Sequence, residues 1–155
     1  MSELGKLYQD TILEHHKAPR HAVALGAPTH RAEGNNPLCG DRVALSLRVA
    51  DGRVTEVGCE VKGCAICRAS GSMLGDAIVG REVAEVLARG ERFLLAFGPT
   101  HAAPSSAASS RAPVRSEEWG PLAALLDARR YPNRLRCATL PWEALQRALH
   151  DPSRA

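Results

Sequence analysis

The feature that most constrains this chain is a change of period at Gly63. Before it, Val43, Leu45, Leu47 and Val49 alternate with Ala44, Ser46 and Arg48, and Val54-Thr55-Glu56-Val57-Gly58-Cys59-Glu60-Val61 follows across the turn Ala50-Asp51-Gly52-Arg53. Two alternating runs joined by Asp-Gly predict a β-hairpin. After it, Gly63-Cys64-Ala65-Ile66-Cys67-Arg68-Ala69-Ser70-Gly71-Ser72-Met73-Leu74 has few β-branched residues and reads as the start of a helix. Cys64 then falls at a helix N-terminus, where unpaired N–H groups and the positive dipole end favour thiolate over thiol.

The other segments supply helices around that hairpin. Leu4, Leu7, Tyr8, Thr11 and Ile12 recur at helical spacing, predicting a helix from about Ser2 to His16 that stops at Pro19. Arg20 to Asn36 reads as loop with one short edge strand near Thr29 to Ala32. Beyond Cys64, one helix is expected to end near Val79 with Gly80 as its cap, a second carries Val83, Val86 and Leu87, and Glu91 to Phe97 adds a third. Gly98 to Ser116 is rich in Ala, Ser and Pro and has the composition of a linker. Trp119, Leu122, Leu125 and Leu126 mark a short helix. A last helix is expected from Thr139 to Leu149, with Pro141 in its first turn and Cys137 beside its N-terminus. Strands and helices run in blocks, so the expected class is α+β: a small antiparallel sheet of about three strands covered by helices. One domain over 1–155 is expected, with an insertion at 98–116.

Composition narrows the functional classes. A net charge of +3 and only 4% aromatic residues argue against nucleic acid as a partner, and no apolar run is long enough for a membrane span. The N-terminal residues lack the basic-then-apolar layout of a secretory signal, so a cytoplasmic location with reduced thiols is expected. Five cysteines then point to metal binding or catalysis rather than to disulfides.

Cys39 and Asp41 are spaced so that a sulfur and a carboxylate can turn to one ion, and Cys64 and Cys137 complete four ligands. Such a set suits tetrahedral zinc, while thiolates equally hold iron–sulfur clusters. The bland alternative makes each cysteine a small buried hydrophobe. Cys59, in phase with Val57 and Val61, fits that alternative best. Cys67 is either a bystander on the helix or the partner of Cys64 in a Cys-x-x-Cys redox or zinc pair. His15, His16, His21, His30, His101 and His150 never flank a cysteine and read as surface or packing residues. Arg129, Arg130, Arg134 and Arg136 form a solvated face, raise the local potential around Cys137 or dock an acidic partner.

Three ordered motifs, Asn36-Pro37-Leu38-Cys39-Gly40-Asp41, Gly63-Cys64-Ala65-Ile66-Cys67-Arg68-Ala69-Ser70 and Arg136-Cys137-Ala138-Thr139-Leu140, resemble the SufU branch of the IscU/NifU-like iron–sulfur assembly proteins, as do Leu7-Tyr8 and Lys17-Ala18-Pro19-Arg20. Arg136 stands where the IscU branch typically has histidine, and the region from Phe97 to Leu122 looks like the insertion of SufU-like chains. Cys67 departs from the family's more usual serine. The resemblance implies zinc held by Cys39, Asp41, Cys64 and Cys137, a cysteine desulfurase as partner, Cys39 as persulfide acceptor and therefore a zinc-dependent sulfurtransferase role. Other readings of the same residues are an IscU-type scaffold that builds a transient iron–sulfur cluster for downstream assembly or apo-proteins, a non-catalytic structural zinc module, and a thiol redox protein using Cys64 and Cys67.

Overall fold

A computed structural model describes residues 3–18, 20–37, 40–97, 122–126, 128 and 132–150. Helix α1 (Glu3–Lys17) precedes strands β1 (His30–Asn36), β2 (Asp41–Ala50) and β3 (Arg53–Lys62). Helices α2 (Ala65–Ile78), α3 (Val83–Ala96), α4 (Ala123–Leu126) and α5 (Pro132–His150) follow. The strands form one antiparallel sheet in the order β1-β2-β3. This is the α+β arrangement that the sequence predicts.

The β2–β3 turn explains itself. Asp51 and Gly52 both take positive φ, 53° and 76°, the backbone that a two-residue turn needs to follow strand twist. Register then places Val43 opposite Val61, Leu45 opposite Cys59 and Leu47 opposite Val57. Those side chains form one face, and the helices cover it. Helix α2 lies on β3 through Gly71, where a Cβ would meet the Cys59 sulfur at 2.9 Å, and α5 lies on β1, with Leu140 over Gly34. Between α3 and α5, Phe93 meets Phe97 edge-to-face at a centroid separation of 5.1 Å and the tilted Trp142 ring at 4.5 Å.

Arg20 and His21, just after α1, have a structural role. The Arg20 N–H donates to Ser72 Oγ at 2.8 Å, and that hydroxyl is also 2.7 Å from Nδ1 of buried His15. Arg20 and His21 both reach the Asp76 carboxylate, at 2.6 and 3.0 Å. The His21 carbonyl in turn accepts the Cys59 N–H on β3. Helix α1, α2 and the sheet are thereby tied together.

The edge strand expected near Thr29 to Ala32 is longer, His30–Asn36, because all seven of its residues pair with β2. Two further expectations fail. Val83 to Ala96 is one helix rather than two, because Gly90 does not break it: the glycine lets α3 approach Gln146 and Leu145 of α5 closely, and Gln146 Nε2 donates to the Leu87 carbonyl at 3.1 Å. The last helix begins at Pro132, not Thr139. Pro132 fills the first-turn position where a missing N–H costs nothing. Pro141 lies inside the helix, and Cys137 is therefore not at an N-terminus. An internal proline cannot bond the carbonyl four residues back and bends the helix locally. Next to that disruption, the Ser70 hydroxyl donates to the Ala138 carbonyl at 2.6 Å, a cross-helix bond that fixes α2 against α5 beside the cysteines. The segment 98–116 and Trp119 lie outside the described residues.

Candidate metal centre

Three elements converge at one end of the sheet. Asp41 opens β2, Cys64 caps α2 and Cys137 sits within α5, and one ligand atom of each lies within 4.8 Å of the others. Asp41 and Cys137 are buried, while Cys64 is half-buried. Cys39 lies outside the described residues; its neighbours Gly40 and Asp41 are placed, and the Gly40 N–H closes the β1–β2 connection on the Asn36 carbonyl at 2.8 Å. Gly40 has φ 74°, a conformation that favours glycine.

Asp41 is aimed rather than merely nearby. Its Oδ1 accepts the Cys64 N–H at 3.1 Å, and Oδ2 lies 3.8 Å from the Cys64 sulfur. Gly63 makes room for this: a Cβ there would stand 2.3 Å from Oδ1. Gly63→Ala is therefore expected to displace the carboxylate and lower metal affinity by about 10–100-fold, the usual effect of disturbing a ligand's supporting shell. Metal competition against a chromophoric chelator measures this, and unchanged affinity would show that Asp41 is not a ligand.

The Cys64 thiol is lowered to about 6. A hydrogen bond with Cys137 is the largest cause; burial works against it, the N–H of Cys67 assists, the negative charge of Asp41 opposes, and the N–H of Ile66 adds a little. Cys64 is the N-cap of α2 in extended conformation, with φ −72° and ψ 169°, as the turn at Gly63 predicts. Folding lowers this pKa, so the thiolate's contribution to stability is complete above the ordinary thiol value of about 8.5 and is lost as pH falls toward the folded value. In metal-free protein, alkylation of Cys64 by iodoacetamide should reach half its maximal rate near pH 6, the value set by its partners. A midpoint near the ordinary thiol value would contradict the arrangement.

Arg134 is the residue that motif reading undervalued. Its exposed guanidinium lies against both sulfurs, and attraction to Cys64 is the first cause of its raised pKa, with hydrogen bonding to Cys64 and attraction to Cys137 behind it. One helical turn separates Arg134 from Cys137, a relation that shows only once α5 is known to start at Pro132. Arg136, the other member of the basic cluster placed on α5, turns instead to Glu143 at 3.9 Å.

The remaining cysteines separate. Cys59 is buried in the core, and burial pushes its thiol up to about 12, so it is inert. Cys67 is fully buried one turn after Cys64, and it is not in the convergent group. Among the described histidines, none belongs to that group.

The donor set fits a metal. A buried carboxylate and two sulfurs, one already acidified, bring negative charge together in a place where only a cation relieves it. Two thiolates with one carboxylate suit a borderline-soft, tetrahedral ion with one position left for a further ligand. Among the described residues no helix is long and apolar enough to cross a membrane.

The family description "NifU-like N terminal domain" matches residues 7–110. The zinc-dependent sulfurtransferase SufU of Bacillus subtilis is 30% identical over 148 residues, covering 96% of this chain and 92% of that protein. An iron-sulfur cluster assembly scaffold protein IscU from Streptococcus pyogenes is 28% identical over 155 residues, covering 100% and 90%. The crystal structure of a Fervidobacterium islandicum protein, assigned as an iron-sulfur cluster assembly scaffold for the SUF system, superposes with a TM-score of 0.78 at 25% identity, covering 93% of this chain and 97% of that one. The N-terminal part of a NifU-like protein from Brucella abortus shares the fold, with a TM-score of 0.76 at 23% identity and 99% of each chain covered. The cysteine motifs, the three-stranded fold and these matches agree: the chain belongs to the NifU-like N-terminal domain family of iron–sulfur cluster assembly proteins.

Proposed function

We infer that this protein is a SufU-type sulfur acceptor, in which Asp41, Cys64 and Cys137, joined by Cys39, hold one zinc ion and Cys39 takes sulfur from a cysteine desulfurase in the cytoplasm. The observation that carries the reading is the convergence of Asp41, Cys64 and Cys137 from three separate elements. Bound zinc would keep the thiols deprotonated and shield them from oxidation.

The chain's own residues divide the remaining work. Asp41 orients Cys64 by accepting its N–H. Arg134 covers the two sulfurs with positive charge, which lowers the cost of keeping both as thiolates. Ser70 holds α2 and α5 at a fixed separation. In sequence Cys39 falls between β1 and β2, and on this reading it is the ligand that leaves the ion to react. In the transfer, the Cys39 thiolate attacks the outer sulfur of the desulfurase persulfide. The Cys39 S–S bond forms, the desulfurase S–S bond breaks and the desulfurase cysteine leaves as thiolate.

An IscU-type scaffold is the second reading, favoured by the scaffold names of the Streptococcus and Fervidobacterium relatives. It uses the same thiolates for iron. The position before Cys137 supports the sulfur acceptor instead, since Arg136 pairs with Glu143 and offers the centre no imidazole. The test is a desulfurase assay with cysteine as substrate: the zinc-loaded protein should raise alanine formation and gain the mass of one sulfur atom. Neither effect in the presence of an active desulfurase would reject the acceptor role.

A further inference from the structure

A cavity of about 180 Å³ lies between the segment after α1, β3 and the first turns of α2. Its floor is apolar or neutral: Cys59, whose thiol stays protonated, and Val61. Its rim carries Arg20, Lys62 and Arg68 against one acid, Glu60. Arg20 is occupied, with Asp76 at 2.6 Å and Glu14 at 4.0 Å. Lys62 and Arg68 have no acidic partner among the described residues, and no ion pair joins Lys62 to Glu60, two positions back on the same strand face.

The surroundings add to the imbalance. The positive end of the 14-residue helix α2 is at the same edge. Two cations, a neutral floor and a concave wall make a receptor for negative charge, and the volume is below that of pockets that take drug-sized ligands.

We propose that this cavity binds a small oxyanion, a carboxylate or a phosphate, held by Lys62 and Arg68 with Arg20 forming the far wall. The same chemistry can arrive as a free ion or as an acidic side chain of a protein docked over the metal centre. The site stands on these residues alone and does not depend on which metal the centre holds.

The test is an NMR titration of the isotopically labelled protein as purified, at constant ionic strength, with inorganic phosphate in one series and a hexaglutamate peptide in another. Saturable shifts confined to the amides of residues 60–62, 68 and 72, weakened about tenfold by Lys62→Gln and again by Arg68→Gln, are expected. Both substitutions keep the aliphatic stem, and unchanged amide positions in α5 confirm the fold. Saturation by phosphate identifies a free anion, whereas saturation by the peptide alone identifies the carboxylate of a partner. Absence of saturation in both series, or shifts that both glutamine variants leave intact, overturns the proposal.

Discussion

Cys137→Ser is expected to empty the metal centre. The side chain is fully buried within α5, shares a hydrogen bond with Cys64 and lies under the Arg134 guanidinium. Serine fits the space but offers a hard, protonated oxygen where a soft thiolate stood, and loss of a direct ligand should exceed the roughly 10–100-fold cost of a supporting-shell change. Zinc should fall from about one per chain to a trace, and sulfur transfer should fall with it. Cys137→Ala, which removes the hydrogen bond as well, takes away the largest cause of the low Cys64 pKa, so the alkylation midpoint of Cys64 should rise in that variant. Cys59→Ser is the matched control: it alters a buried thiol of the sheet core and should leave metal content intact. Full zinc retention by Cys137→Ser would remove α5 from the site.

Cys39→Ser should abolish sulfur acceptance outright on the reading proposed above, which makes Cys39 the acceptor; of the described cysteines, Cys59, Cys67 and Cys137 are buried. Persulfide trapped after reaction with a desulfurase should vanish from the mass spectrum of this variant and persist in Cys67→Ser. Cys67 is fully buried in α2, in a setting where an attacking sulfur cannot reach it. The reverse pattern, with sulfur lost only in Cys67→Ser, would establish the Cys64-Cys67 pair as the working thiols.

Much of this fold was legible because its signals are local. The alternation of Val43, Leu45 and Leu47, and the Asp51-Gly52 turn, need no tertiary knowledge, and they fix which face of the sheet meets the helices. The glycine before Cys64 was equally readable, though its second role, clearing space for the Asp41 carboxylate, depends on a strand distant in sequence. What sequence missed depends on tertiary partners. Pro141 signals a helix start to local reasoning, yet it is internal because packing of Trp142 and Leu145 into the core, with the Ser70 bond to Ala138, outweighs the lost hydrogen bond. Misplacing that start put Cys137 at a dipole end it does not occupy. It also hid Arg134, whose relation to the sulfurs follows from one turn of helix. The break expected before Glu91 is absent for a similar reason, since Gly90 packs against Gln146 on α5.

Asp41, Cys64 and Cys137 were named from residue type and motif, and the structure brings these three together. The convergence is what makes acidification of Cys64 intelligible: a helix N-cap contributes, but a second thiol from a remote helix contributes more.

Elemental analysis with an absorption spectrum, on protein purified anaerobically without added metal, tests the central claim most directly. About one zinc per chain in a colourless sample is the expected result. Stoichiometric iron and sulfide with visible absorption would contradict it and make the scaffold reading primary, and absence of both metals would contradict the four-ligand site itself.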